Sequence, residues 1–169
     1  VPTAVCQDIT VQLDAAGNAS ITGADVDNGS SDACGIATLS VAPNTFTCAE
    51  VGDNAVVLTV TDNNGNSSTC NATVTVDDTV VPTAVGQDIT VQLDAAGNAS
   101  ITGADVANGS SDACGIATLS VAPNTFTCAE VGGNAVVLTV TDNNGNSSTC
   151  NATVTVEDNV APTAICQDI

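Results

Sequence analysis

The 169-residue sequence contains no Lys, Arg or His, and no Trp, Tyr or Met. Without a cationic side chain, no side-chain salt bridge can form. Nothing can displace the counterions of a phosphate backbone or an anionic headgroup either, so nucleic acid and anionic membrane surfaces are disfavoured partners. Without His, Lys or Tyr, no Ser or Cys has a base to activate it. A carboxylate dyad is the catalytic device left, and each Asp has a turn or linker explanation. The sequence therefore does not read as an enzyme. No apolar run approaches 18 residues, which argues against direct membrane insertion. No signal peptide is recognisable, as expected of a mature or excised piece. Large aromatics are limited to Phe46 and Phe126. A core of Val, Ala, Ile and Leu is thin, and a unit of about 80 residues built on it needs bracing.

What is present answers those lacks. The 19 acidic residues give a formal net charge of -19. They repel one another unless water, salt or a bound cation screens them, so divalent cations are the natural partner. The 8 cysteines come without His and without a CxxC pair. That pattern points away from zinc and towards disulfides in an oxidising compartment, extracellular or at the cell surface.

The chain repeats itself. Residues 1–80 and 81–160 differ only as Cys6/Gly86, Asp27/Ala107, Asp53/Gly133, Asp77/Glu157 and Thr79/Asn159. Residues 161–169 then echo residues 1–9, as the first strand of a further repeat or a donor strand. Self-similarity at a fixed period signals an array.

Within a repeat the clearest element spans residues 55–76. Val56, Leu58 and Val60 alternate with Val57, Thr59 and Thr61. An Asn/Gly turn follows, then Ala72, Val74 and Val76 alternate with Asn71, Thr73 and Thr75. Period two on both sides of such a turn marks a β-hairpin. Upstream, residues 7–14 and 19–24 read as strands joined by a turn, and residues 25–34 as a loop rich in turn formers. Residues 36–42 and 45–48 read as strands joined by a Pro43-Asn44 turn. Six or seven short strands without helical periodicity predict an all-β fold of two tandem immunoglobulin-like β-sandwiches in an extended array.

Three stretches carry a family resemblance: SDACGI at residues 31–36, Val51-Gly52, and LTVTDNNGNSSTCNATVTVDD at residues 58–78. They resemble the hyalin-repeat (HYR) type of immunoglobulin-like domain, and the tandem repeats of bacterial secreted and surface-anchored proteins. The resemblance implies an adhesive or structural role outside the cell. In such sandwiches the first and last strands lie side by side and parallel, which implies a Cys6–Cys70 bridge.

Spacing suggests two further bridges, Cys34–Cys48 and Cys114–Cys128, each closing a short loop. Gly86 leaves Cys150 without a counterpart, so Cys150 is expected to be a free, buried thiol or to bond another molecule. Cys166 waits for a following repeat.

Three acidic groups are candidates for Ca²⁺, which takes six to eight oxygen ligands. One is the junction Asp77-Asp78, with Asp8 or Asp88, matched by Glu157-Asp158. Another is the loop Asp25, Asp27 and Asp32, thinned by Ala107 in the second copy. The third, Asp62, Asn64 and Asn66, reads rather as an Asx-rich turn. N-x-S/T sequons, candidates for glycosylation, stand at Asn18, Asn28, Asn66 and Asn71, and again at Asn98, Asn108, Asn146 and Asn151. The expectation that joins these features is a structural subunit that self-associates head to tail into a filament. The alternative is an adhesin recognising a glycan or surface protein.

Overall fold

The alternation around each Asn-Gly turn becomes the longest strand pair of each repeat. In the computed structural model, which describes residues 1–167, the chain divides into two compact units, Val1–Val80 and Val81–Ile169. The first contains β1 (Ile9–Gln12), β2 (Asn18–Ser20), α1 (Gly23–Val26), β3 (Ile36–Ala42), β4 (Thr45–Thr47), β5 (Gly52–Asp62) and β6 (Ser67–Asp77). The second repeats them as β7 (Ile89–Gln92), β8 (Asn98–Ser100), α2 (Gly103–Val106), β9 (Ile116–Ala122), β10 (Thr125–Thr127), β11 (Gly132–Asp142) and β12 (Ser147–Glu157). Each unit is an immunoglobulin-like sandwich. A four-stranded sheet, β1-β6-β5-β3, faces the two-stranded sheet β2-β4, and unit 2 repeats both. No helix among the described residues is long and apolar enough to cross a membrane.

Register follows from the hydrophobic pattern. β5 pairs antiparallel with β6, Leu58 opposite Cys70, so Val56, Leu58, Val60, Ala72, Val74 and Val76 all face inward and are buried. Phe46 on β4 fills the opposite side of the core at 1% exposure, with Leu13, Ile21 and Val26. A one-residue slip would turn every one of these Val and Leu side chains outward, which fixes the pairing. β1 runs parallel to β6, Ile9 opposite Val74 and Gln12 opposite Asp77.

One expectation fails locally. The strand expected over residues 19–24 ends early, because Gly23–Val26 forms one helical turn. Thr22 N and Oγ1 both donate to Asp25 Oδ2 at 2.7 Å, a capping arrangement that favours helical entry over extended chain. The helical turn also needs a glycine: a Cβ on Gly23 would stand 2.5 Å from the carbonyl carbon of Leu39. At Pro43-Asn44, read as a turn between two strands, the chain also changes sheet: β3 pairs with β5, and β4 with β2.

Candidate functional site: the two poles of each unit

The sheet-switching segment gives each unit two chemically distinct ends. The chain enters unit 1 where Thr3 and Ser31 exchange backbone hydrogen bonds of 2.7 and 3.0 Å. Cys34 lies at this entry pole, its carbonyl accepting from Asn63 Nδ2 of the β5–β6 turn at 2.7 Å. The chain leaves at the other end, where Leu13 N donates to Asp77 O at 2.9 Å and residues 14–17 turn. Thr47 pairs with Asn18 beside that turn, so Cys48 lies at the exit pole. Unit 2 repeats the layout. Asn143 Nδ2 donates to Cys114 O at 2.7 Å at its entry pole. At its exit pole Gly97, Cys128, Asp158, Val160 and Ala161 line one shallow cleft.

This layout corrects the bridges expected from spacing. Cys34 and Cys128 are free, exposed thiols, so neither Cys34–Cys48 nor Cys114–Cys128 forms. The chain between Cys34 and Cys48 does not fold back but climbs from pole to pole. The eleven residues of β6 span roughly 35 Å over the same rise, against a Cα–Cα limit of about 7 Å for a disulfide. Cys48 and Cys114 are disulfide-bonded nonetheless. Cys6 and Cys70 form a bridge with Cα atoms 5.9 Å apart, because the parallel β1–β6 ladder carries Cys6 alongside Cys70. In unit 2 the position of Cys6 is Gly86, and Cys150 is a free thiol, half-buried and packed against the core. Cys166 is free and exposed.

The candidate cation ligands are spread out within each unit. Asp8 accepts from Thr73 N at 2.7 Å at the start of the β1–β6 ladder, and Asp77 accepts from Gln12 Nε2 at 3.3 Å at its end. The structure therefore does not bring Asp8 to Asp77. Asp88 and Glu157 are likewise held apart by Thr153 N and Gln92 Nε2. Asp78 and Asp158 each cap their own linker by accepting from Val80 N and Val160 N at 3.0 Å. In the loop, Asp25 caps α1, Asp27 accepts from Ser30 N at 3.1 Å, and Asp32 accepts from Cys34 N at 2.8 Å. Within either unit, no three described carboxylates converge to coordination distance. Hydrogen bonds from Thr22 hold Asp25 below the ordinary carboxylate pKa, and those from Ser30 do the same for Asp27.

Asp62 is an Asx turn anchor. Buried at 2% exposure, its carboxylate accepts from Asn64 N at 2.8 Å, Asn66 N at 2.9 Å and Asn66 Nδ2 at 2.8 Å. Asn66 hydrogen bonding, its side-chain amide foremost, lowers the Asp62 pKa against the penalty of burial. The sequons differ in consequence. Asn66 and Asn146 spend their side-chain nitrogens on Asp62 and Asp142, and Asn18 and Asn98 donate theirs to Ala16 O and Ala96 O. Asn28, Asn71, Asn108 and Asn151 are exposed.

One surface feature escaped the sequence reading. Asp14, Asn18, Ser20, Thr45 and Thr47 ring the outer side of the β2–β4 pair above Phe46, and their counterparts do the same in unit 2. The signal was there in the polar alternation Asn18/Ser20 and Thr45/Thr47.

No protein-family model matches the chain, and no curated protein matches it. Solved structures similar to it include the protocadherin gamma B7 extracellular cadherin domains 1–4, at 13% identity and a TM-score of 0.42. That match covers 93% of this chain and 51% of the other, so the chain spans about half of that structure. Human mucin-like protocadherin EC1-2 is similar at 14% identity and TM-score 0.41, covering 94% and 98%. The fibronectin(III)-like modules of Clostridium thermocellum CbhA follow at 14% identity and TM-score 0.34, covering 99% and 100%. Likenesses of this size carry no function across to this chain.

Proposed function

We propose that the chain is a structural subunit of an extracellular filament or surface stalk, assembled end to end from these repeat units. The observation that carries the reading is the repetition itself: two self-contained sandwiches of nearly identical sequence follow one another in the chain. Repeat units of this kind build arrays by adding like to like. Residues 161–167 echo residues 1–7 in sequence; Asp168 and Ile169 lie outside the described residues. The bridge at Cys6–Cys70 and the oxidised Cys48 and Cys114 support an oxidising, extracellular setting.

Assembly also has to contend with a charge of -19. Asp77, Asp78, Glu157 and Asp158 sit at unit exits, and Ca²⁺ is the cation proposed to screen them. Sedimentation velocity over a concentration series tests the reading: average mass should rise with concentration and fall back with a calcium chelator. A single monomer boundary at every concentration would reject it.

The adhesin alternative calls for a recognition surface that distinguishes one unit. The surface above Phe46 recurs above Phe126 with the same lining, which supports the structural reading over that one.

A further inference from the structure

The cysteines at the poles are not in the same state in the two units. At the exit pole of unit 1 and the entry pole of unit 2, Cys48 and Cys114 are disulfide-bonded. At the entry pole of unit 1 and the exit pole of unit 2, Cys34 and Cys128 are free and exposed. The local sequences are identical, SDACGI around the entry-pole cysteine and NTFTCAEV around the exit-pole one. The same backbone therefore presents each cysteine twice, once oxidised and once as a thiol. Neither thiol can find its repeat-mate within a unit, because β3 and β4 place the two at opposite ends.

We infer that Cys128 of one copy and Cys34 of the next form an intermolecular disulfide, so that copies are linked covalently, exit pole to entry pole. The inference rests on the end-to-end reading above, and specifies the bond that would lock it. One bond forms per junction, and two S–H bonds break. The two protons and two electrons pass to a disulfide oxidant of the oxidised-glutathione class, which is cleaved to its two thiols. One cysteine thiolate first attacks the oxidant, forming a mixed disulfide and releasing one small thiol, and the second cysteine then displaces the other small thiol. Both steps need exposed sulfur, which both residues supply. Because each copy carries one cysteine of each kind, on different units and at unlike poles, the linkage is heterologous. It propagates as an open chain instead of closing as a two-fold dimer.

The test uses the full chain carrying Cys150→Ser and Cys166→Ser, so that no other free thiol contributes. After incubation with oxidised glutathione, non-reducing gel electrophoresis should show a ladder of multimers that reductant collapses to monomer. Adding Cys34→Ser or Cys128→Ser should leave each protein monomeric, and mixing those two variants should give a dimer and nothing larger. A ladder that survives either substitution would overturn the inference, as would a parent protein that stays monomeric under oxidant. Circular dichroism of each variant checks that the sandwiches remain folded. Sedimentation of the Cys34→Ser/Cys128→Ser double variant separates the two claims. If it self-associates while the parent forms no ladder, end-to-end assembly stands without the bond; if neither associates, both fall.

Discussion

A Cβ on Gly86 would stand 3.0 Å from the Sγ of Cys150. That is about the span from a Cβ to the far sulfur of a disulfide with a bond of ~2.04 Å. The second unit thus keeps the geometry of the Cys6–Cys70 bridge and lacks only one of its sulfurs. Gly86→Cys is expected to close the bond under mild oxidant, remove Cys150 from thiol titration, and stabilise unit 2 by about 2–4 kcal/mol. Alkylation of Cys150 at an unchanged rate after oxidation would contradict this.

The two units otherwise differ at few positions, so they serve as each other's control. Calorimetry should resolve two transitions, the lower belonging to unit 2. Cys6→Gly copies the second repeat into the first and should bring the upper transition down to the lower. Two transitions that coincide in the unaltered protein would remove the Cys6–Cys70 bridge as the source of a stability difference.

The close approach of α1 to β3 makes Gly23 irreplaceable. Gly23→Ala drives a methyl into the Leu39 backbone, and Gly103→Ala does the same at Leu119, where the Cβ would lie 2.4 Å from the carbonyl carbon. Each substitution should destabilise its unit by about 1–3 kcal/mol, measured by urea unfolding. Gly29→Ala serves as the comparison: its added Cβ meets nothing within 4 Å, although its φ of +84° still carries backbone strain.

Acid should act on the turns. Asp25, Asp62, Asp105, Glu50 and Glu130 all have lowered pKa values, through hydrogen bonds from Thr22, Asn66, Thr102, Thr47 and Thr127 respectively. A carboxylate lowered by folding contributes stability that is complete above its unfolded pKa of about 4 and lost as pH falls through the folded value. The unfolding temperature should therefore drop below about pH 4. It should drop less in Asp62→Asn, whose amide oxygen can still accept from Asn64 N and Asn66 N. An identical acid profile for the two proteins would contradict the role given to Asp62.

The hairpin of β5 and β6 was legible in the sequence because alternation of Val and Leu with Thr on both sides of an Asn-Gly turn admits one register. The sandwich followed from counting such segments. Pro43-Asn44 was not legible, since a proline-asparagine pair marks a bend whether the chain reverses or changes sheet. Misreading it placed Cys34 beside Cys48 instead of at the opposite end. The helical turn at Gly23–Val26 is too short to show a 3.6-residue period, though Thr22 and Asp25 carried its capping signal. The carboxylates were legible as residues but not as a constellation. Some cap a nearby backbone N–H, while Asp77 and Glu157 accept from Gln12 and Gln92 side chains and Asp8 from Thr73 N across the β1–β6 ladder. That choice depends on turns and pairings whose geometry sequence alone leaves open.

End-to-end assembly is tested most directly by negative-stain electron microscopy of the purified protein in oxidising buffer containing Ca²⁺. Assembly predicts unbranched filaments with an axial repeat of two units, which shorten or disperse in chelator. Separate particles of two units, at every protein concentration and in both buffers, would contradict it.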